Sequence, residues 1–299
     1  MKIKKTILSL TIALALLGLS ACSNSSKSEN ANKNVVTMKG DTIQIVDVYN
    51  EATLFPSVGT GTLIQNLTFS KIFEKEFADE VTEEDVQKEY NSMKSDYGSS
   101  FESYLAQEGM TTESYKSLLR LQLLQQVAIE KKVEETEFTD AKLKKAWENY
   151  HPTVEAYVLS YSSEEEAKTA RDSALNDLEN FKTTQNSNGT SKKFDSSNTT
   201  INEEVRKAAF ALKDGETSEI IPITDAVSGT SSYYVVHMIS NQEKGDDMSK
   251  YNAQLKNYIV TQKESDESFV ASVFKEYLTD YNVTVKETAY SNIFSNYLE

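Results

Sequence analysis

The sequence is poor in the residues on which most site chemistry depends. Of 299 residues, one is cysteine (Cys22), two are histidine (His151 and His237), one is tryptophan, three are proline and ten are glycine. A single cysteine excludes an intramolecular disulfide, and two scattered histidines form no cluster at metal-ligand spacing, so neither a metal site nor any other cofactor is expected. No Gly-x-Ser-x-Gly elbow and no glycine-rich phosphate loop occurs, and Gly59-Thr60-Gly61 reads as a turn. Hydrolase and nucleotide-binding readings therefore have no motif behind them. Basic residues are also short, 31 against 46 acids, for a formal charge of −15. That balance argues against nucleic acid as a partner and against a basic face lying on anionic lipid.

Long hydrophobic runs are missing except at the start. Lys2, Lys4 and Lys5 precede an apolar run from Ile7 to Leu19 that is interrupted only by Ser9, Thr11 and Gly18. A spanning helix needs about 20 apolar residues. The run is shorter and gives way at once to Ser23, Asn24, Ser25, Ser26 and Lys27, so residues 1–21 read as a signal peptide. Leu19-Ser20-Ala21-Cys22 resembles a bacterial lipobox, in which the cysteine thiol carries the lipid. Acylation would account for the lone thiol, and two acyl chains anchor stably where one does not. Residues 22–34, rich in Ser, Asn and Lys, read as a flexible tether. Losing the three leader lysines moves the formal charge from −15 to about −18, so attachment to the membrane falls to the lipid on Cys22.

Beyond residue 34 the chain reads as three segments. Val35 to Tyr49 holds two β-prone runs around Lys39-Gly40-Asp41, a hairpin leading into a helix near Val46. A helical stretch follows. Leu63, Leu67, Ile72, Phe73 and Phe77 fall near helical spacing, Thr82-Glu83-Glu84-Asp85 opens a helix as a Thr cap with acids in its first turn, and Tyr97-Gly98 stops it. Phe101, Tyr104 and Leu105 mark a short helix ending near Gly109, Thr112 opens a long one, and Thr139-Asp140 opens another carrying Leu143, Trp147 and Tyr150. His151-Pro152 breaks the pattern. Val154 to Leu159 then alternates as a strand. It is followed by a helix over Glu164–Phe181, a polar loop over Gln185–Thr200, a helix over Asn202–Leu212, and strands near Ser218–Ile221 and Tyr233–Ile239. The three acids Glu164, Glu165 and Glu166 suit a helix N-terminus better than a catalytic role. From Met248 a helical pattern resumes through Tyr251, Leu255, Phe269, Val273, Phe274 and Tyr277. Two amphipathic arms, each without a partner close in sequence, are most simply paired with each other. The expected fold is α+β: a discontinuous helical domain over 35–150 and 246–299, with an α/β unit at 152–245 inserted between its arms.

These residues bring a family into view. The lipobox, the stretch Tyr90 to Leu124 with Phe101, Gly109, Tyr115 and Arg120, and Ala208-Ala209-Phe210-Ala211-Leu212-Lys213-Asp214-Gly215-Glu216 together resemble the PrsA-type foldase lipoproteins, including the lactococcal proteinase-maturation protein and, more distantly, SurA. The resemblance covers nearly the whole chain. It implies a chaperone domain made of the two arms, a parvulin-like insert, and a role in folding exported polypeptides at the extracytoplasmic face of a Gram-positive-type cell membrane. The implied partners are unfolded or partly folded exported proteins, and homodimerisation through the helical arms is left open.

The family's activity is peptidyl-prolyl cis-trans isomerisation, a rotation with a barrier of about 18–20 kcal/mol. The resemblance implies two histidines at that site, one in the opening strand and one in the final strand. Here Tyr157 and Tyr234 stand in those places, and His237 falls three residues past the second. The Gly-Gly-x-Leu-Gly-Trp type of segment that builds the proline pocket is absent, with the polar run Asn186–Thr200 in its place. The expectation is a foldase or holdase whose isomerase site is altered. The competing reading is a passive extracellular binding or adhesion lipoprotein, although the two βαβ lobes of a solute-binding subunit are not what this pattern suggests. Of 16 Tyr and 12 Phe, a minority is expected to touch clients. Most of Phe69, Phe73, Phe77, Phe101, Trp147 and Phe274 are assigned to packing.

Overall fold

The structure, a computed structural model, describes residues 30–179, 181, 191–225 and 228–298. The expected leader, Cys22, the first part of the tether and the run 186–190 lie outside the described residues. The chain divides into two compact units. Among the described residues, the first comprises those up to Glu137 together with those from Lys263, and the second those within Phe138–Gln262. The division falls some residues away from the expected boundaries on both sides, for a reason found in the second unit.

In the first unit, β1 (Asn34–Met38) and β2 (Asp41–Gln44) form an antiparallel hairpin. The turn requires Gly40 at φ +79°, a conformation most side chains resist. Residues assigned to the tether are already engaged here: the Ala31 and Lys33 carbonyls accept from the Val46 and Ile45 amides, and the Lys33 ammonium lies 2.7 Å from Glu287. Helices α1 (Ile45–Leu54), α2 (Thr60–Phe77), α3 (Glu83–Tyr97), α4 (Phe101–Gln107) and α5 (Thr112–Thr136) follow. Thr82 and Thr111 cap α3 and α5 through capping boxes with Asp85 and Ser114, satisfying amides that the first helical turn leaves without partners. Gly98, at φ +54°, ends α3.

Helix α5 is not a one-faced amphipathic helix. Leu121, Leu123, Leu124, Val127, Ala128 and Ile129 are all buried, along with Gln125 and Gln126. Buried on nearly every side, it forms the axis of the unit. The C-terminal arm, α10 (Glu267–Asp280), closes on it and on α2. Phe69 and Phe73 stack at 5.7 Å, Phe274 lies 5.0 Å from Phe69 and 5.7 Å from Phe73, and Tyr277 meets Phe73 edge-on at 5.1 Å. Past α10, the short strand β7 (Thr284–Val285) pairs with β1, giving the sheet order β2-β1-β7. The expected pairing of the arms is thus present within this unit, while β7 was not expected. Of the aromatics assigned to packing here, Phe69, Phe73, Phe101 and Phe274 are fully buried and Phe77 is half-buried.

Arg120 ties three segments of the unit. Its guanidinium donates to both carboxylate oxygens of Glu74 (2.5 and 2.8 Å) and to the Val81 carbonyl at 2.8 Å.

The second unit is built on a four-stranded antiparallel sheet ordered β4 (Lys192–Phe194), β3 (Val154–Tyr161), β6 (Ser231–Asn241), β5 (Ile221–Thr224). Helix α7 (Glu164–Asn176) lies on one face and α8 (Glu203–Phe210) on the other. Helix α7 ends earlier than its spacing suggests, because Asp177 leaves the helical region at φ −150°. The expected strand at 218–221 is displaced: β5 starts at Ile221, and residues 215–218 run beside β6 through Gly215 to Met238, Met238 to Glu216 and Ser218 to Val236 hydrogen bonds.

Helices α6 (Asp140–Asn149) and α9 (Asn252–Glu264) explain the position of the boundaries. Their aromatic residues meet each other. Trp147 lies 5.4 Å from Tyr251, and Tyr150 lies 6.0 Å from Tyr258. Lys244 sits 4.5 Å above the Trp147 ring and donates to the carbonyls of Trp147 and Tyr150. That lysine closes the end of α6, supplying donors to carbonyls the helix leaves open. The helical pattern expected to run on from Met248 is interrupted at Asp266, whose side chain caps α10.

Two outcomes follow. Arg120→Ala should lower stability by about 2–3 kcal/mol, since it leaves a carboxylate and a carbonyl without their donor, and chemical denaturation monitored by α-helical circular dichroism reads that loss. Glu264 is buried, accepts from Gln126 Nε2 at 3.1 Å, and burial with the nearby Glu130 charge raises it from 4.5 to about 7. The folded form therefore takes up a proton between about pH 4.5 and 7, and stability falls as pH rises through that window. Glu264→Gln should stabilise the protein by up to about 3 kcal/mol at pH 8 and by almost nothing at pH 4.5; thermal melts of both proteins across that range decide it.

Candidate functional site

The register of β3 against β6 decides where the two tyrosines of interest point. Tyr157 is paired with His237, Val158 with Val236 and Ser160 with Tyr234. Side chains alternate between faces along a strand. Positions 157, 159 and 161 therefore face α7, with 235 and 237 on the same side. Positions 154, 156 and 158 face α8 with 234, 236 and 238. The packing agrees. Tyr157 and Tyr161 lie against Leu159, Ala170, Ala174 and Phe181, and Tyr234 lies against Val158, Val205, Val236 and Met238. The structure does not bring Tyr157 and Tyr234 together; it sets them on opposite sides of the sheet.

What Tyr157 does meet is His237. Their rings are 6.5 Å apart, and Phe181 lies 6.2 Å from each. His237 is 6% exposed, and its Nδ1 lies 2.9 Å from the Thr217 hydroxyl. Beside this cluster, burial pushes the Tyr161 phenol up to about 12, so it stays protonated. His151, the other histidine, stacks on Phe210 at 4.3 Å with the planes 5° apart, and Phe210 packs on the α8 side of the sheet. Burial holds His151 below the ordinary imidazole range, and its Nδ1 is 2.9 Å from the Pro152 carbonyl. The two histidines thus belong to opposite faces and form no pair.

The segment Ala208–Glu216 has a mechanical role in this unit. Helix α8 ends at Phe210, Glu216 accepts from the Lys213 amide at 2.8 Å, and Gly215 at φ +80° turns the chain onto β6. Asn241 fixes the turn from the other side. Its amide donates to Asp214, and its side chain donates to the Phe210 and Leu212 carbonyls at 3.1 and 2.6 Å. Such a segment needs Gly at 215 and acids at 214 and 216 whatever chemistry the unit performs. The acids Glu164 to Glu166 likewise sit in the first turn of α7, where Ser163 caps the Glu166 amide and the Ser162 and Ser163 hydroxyls keep the Glu166 carboxyl below its ordinary range.

The first unit holds a cavity the sequence did not signal. About 230 Å³ of space is enclosed by Phe55, Val58, Asn66, Tyr104, Glu108, Met110 and Leu118. The residues come from the end of α1, from α2, from α4 and the turn after it, and from α5. Gly109 makes the close approach at its edge possible: a Cβ there would stand 2.7 Å from Pro56 Cγ, and φ is +66°. Among the described residues no helix is long and apolar enough to cross a membrane.

Comparison with known proteins places this geometry. No family model matches the sequence. A foldase protein PrsA of Lactococcus lactis subsp. lactis is 47% identical over 300 residues, covering all of this chain and 97% of its own, and that of Streptococcus sanguinis is 33% identical, covering 99% and 88%. The crystal structure of the Lactococcus lactis foldase superposes with a TM-score of 0.68 over 89% of this chain and 100% of its own, at 47% identity. A Streptococcus pneumoniae PrsA structure gives 0.67 over the same shares at 32%. With close full-length relatives and the same mixed helical and sheet fold, the chain belongs to the PrsA foldase family.

Proposed function

We propose that this protein is an extracytoplasmic foldase, anchored through lipid on Cys22, that holds exported polypeptides while they fold and contributes little or no prolyl isomerisation. Family membership supports the foldase role. The observation that bears on isomerisation is the placement of Tyr157 and Tyr234 on opposite faces of the sheet, with His237 buried and bonded to Thr217. Rotation of an X-Pro bond needs an accessible apolar socket with polar groups around the twisting amide. Tyr157 is instead packed among Leu159, Ala174 and Phe181, and Tyr234 among the residues beneath α8.

On this reading the unit carrying the four-stranded sheet is a parvulin-like domain kept for its fold and surface, and the arms form the chaperone domain. Holding needs no nucleotide: association and release follow the client's own exposure of apolar surface, which disappears as it folds. The acidic balance, −15 for the whole chain and about −18 without the three leader lysines, favours clients that are basic and disfavours adhesion to anionic headgroups.

Three measurements bear on the proposal. The purified protein should suppress aggregation of a denatured secreted protein at near-stoichiometric ratios while leaving the cis-trans relaxation of a Pro-containing peptide at its uncatalysed rate. Rapid relaxation would overturn the isomerase statement, and failure to suppress aggregation would overturn the holding statement. In cells, Cys22→Ala should abolish incorporation of a labelled fatty acid and release the protein from the membrane fraction.

A further inference from the structure

We propose that the cavity between α1, α2, α4 and α5 is a socket for one large apolar side chain of an extended polypeptide, with Glu108 selecting a Lys or Arg beside it. The inference rests on the foldase reading and assigns a place on the chain to it.

The size of the space limits its occupant. At about 230 Å³ it falls below the roughly 300–1,000 Å³ of pockets that enclose drug-sized ligands, and suits a side chain of Phe or Leu size. Phe55, Val58, Tyr104, Met110 and Leu118 supply apolar wall, and a methionine adapts its shape to different occupants. Apolar surface continues outward. Leu54, next to Phe55, is 45% exposed, and Tyr97, which stacks on Tyr104 at 5.0 Å, is 41% exposed. An extended segment could lie along that rim with one side chain inserted.

The two polar walls determine the chemistry. Asn66 and Glu108 both line the cavity. Neither forms a side-chain hydrogen bond or an ion pair among the described residues, unlike Glu74, Glu80 and Glu102, which are each held by a basic side chain. A carboxamide offers a donor and an acceptor, the pair a peptide group needs. A carboxylate at an apolar lip, with no cation of its own, attracts an ammonium or guanidinium and repels phosphate. Burial and the neighbouring Tyr97 and Glu108 keep the Tyr104 phenol protonated, so it adds no second charge. Charge therefore selects a basic-apolar peptide over an anionic lipid or a nucleic acid, and over a second copy of this acidic chain.

The test uses the full chain and two fluorescent decapeptides in a Gly/Ser background, one with a single Phe flanked by Lys and the other with the same Phe flanked by Glu. The Lys peptide should bind more tightly by anisotropy, and Glu108→Gln should weaken it about three- to five-fold, the scale of a partly exposed ion pair, while the Glu peptide, relieved of repulsion, should bind no more weakly than before. Val58→Phe, which fills the space, should abolish binding of both peptides with the thermal midpoint kept. Should Val58→Phe fail to fold, the Glu108→Gln comparison still decides. Equal binding of both peptides to wild type and to Glu108→Gln overturns the charge selection, and unchanged binding to a folded Val58→Phe overturns the socket. If wild type suppresses aggregation yet binds neither peptide, the socket is wrong and the foldase reading stands; if it does neither, both fall. A concentration-dependent dimer lost in Val58→Phe, without peptide binding, would make this face a self-association surface instead and would also overturn the proposal.

Discussion

The first unit depends on contact between two segments nearly two hundred residues apart. Phe69 and Phe73 on α2 present a stacked pair, and Phe274 and Tyr277 of α10 pack against it. Each aromatic pair adds about 0.5–1.5 kcal/mol beyond the area it buries. The same closure brings β7 to β1, so the N-terminal hairpin becomes a three-stranded sheet only when the end of the chain returns. Lys39 and Tyr281, and Lys286 and Val35, are joined by backbone hydrogen bonds of 2.7 Å at that return. A sequence can therefore carry a second unit between its arms without interrupting the first core, because the core is completed by the returning arm and not by what lies between.

The second unit obeys a different constraint, the period-two alternation of its central strands. Once Tyr157 is opposite His237, every other assignment follows: odd positions of β3 look toward α7, even ones toward α8, and Tyr234 falls on the α8 side with Val236 and Met238. The turn through Gly215 and Glu216 then carries the chain from α8 onto β6. The interior at Tyr157 is occupied by Phe181 and His237.

Much of this was legible in the sequence, where the signal was local. Gly40 marked the hairpin, Thr82, Thr139 and Asn202 marked helix starts, Gly98 marked an end, and alternation marked β3. The unpartnered stripes of the two arms implied their pairing, which the aromatic seam realises. What was not legible depends on distant contacts. Two residues, Thr284 and Val285, carry too little pattern to announce a strand, and only β1 makes them one. Trp147 and Tyr150 looked like part of the N-terminal arm, yet their partners Tyr251 and Tyr258 lie on α9, which moved both boundaries. The relative orientation of Tyr157 and Tyr234 depends on register, which neither strand specifies by itself. The cavity at Phe55 and Glu108 is assembled from four helices and left no trace in spacing at all.

Segment-resolved hydrogen exchange on Phe274→Ala tests most directly whether α10 holds the first unit closed. Truncating a fully buried Phe costs about 3–5 kcal/mol, and because the returning arm completes the first core, protection should fall together in β1, α2 and α5 while the amides of β3 and β6 keep theirs. A uniform loss across both units, or unchanged protection of β1 and α2, would contradict the claim that α10 holds the first unit closed.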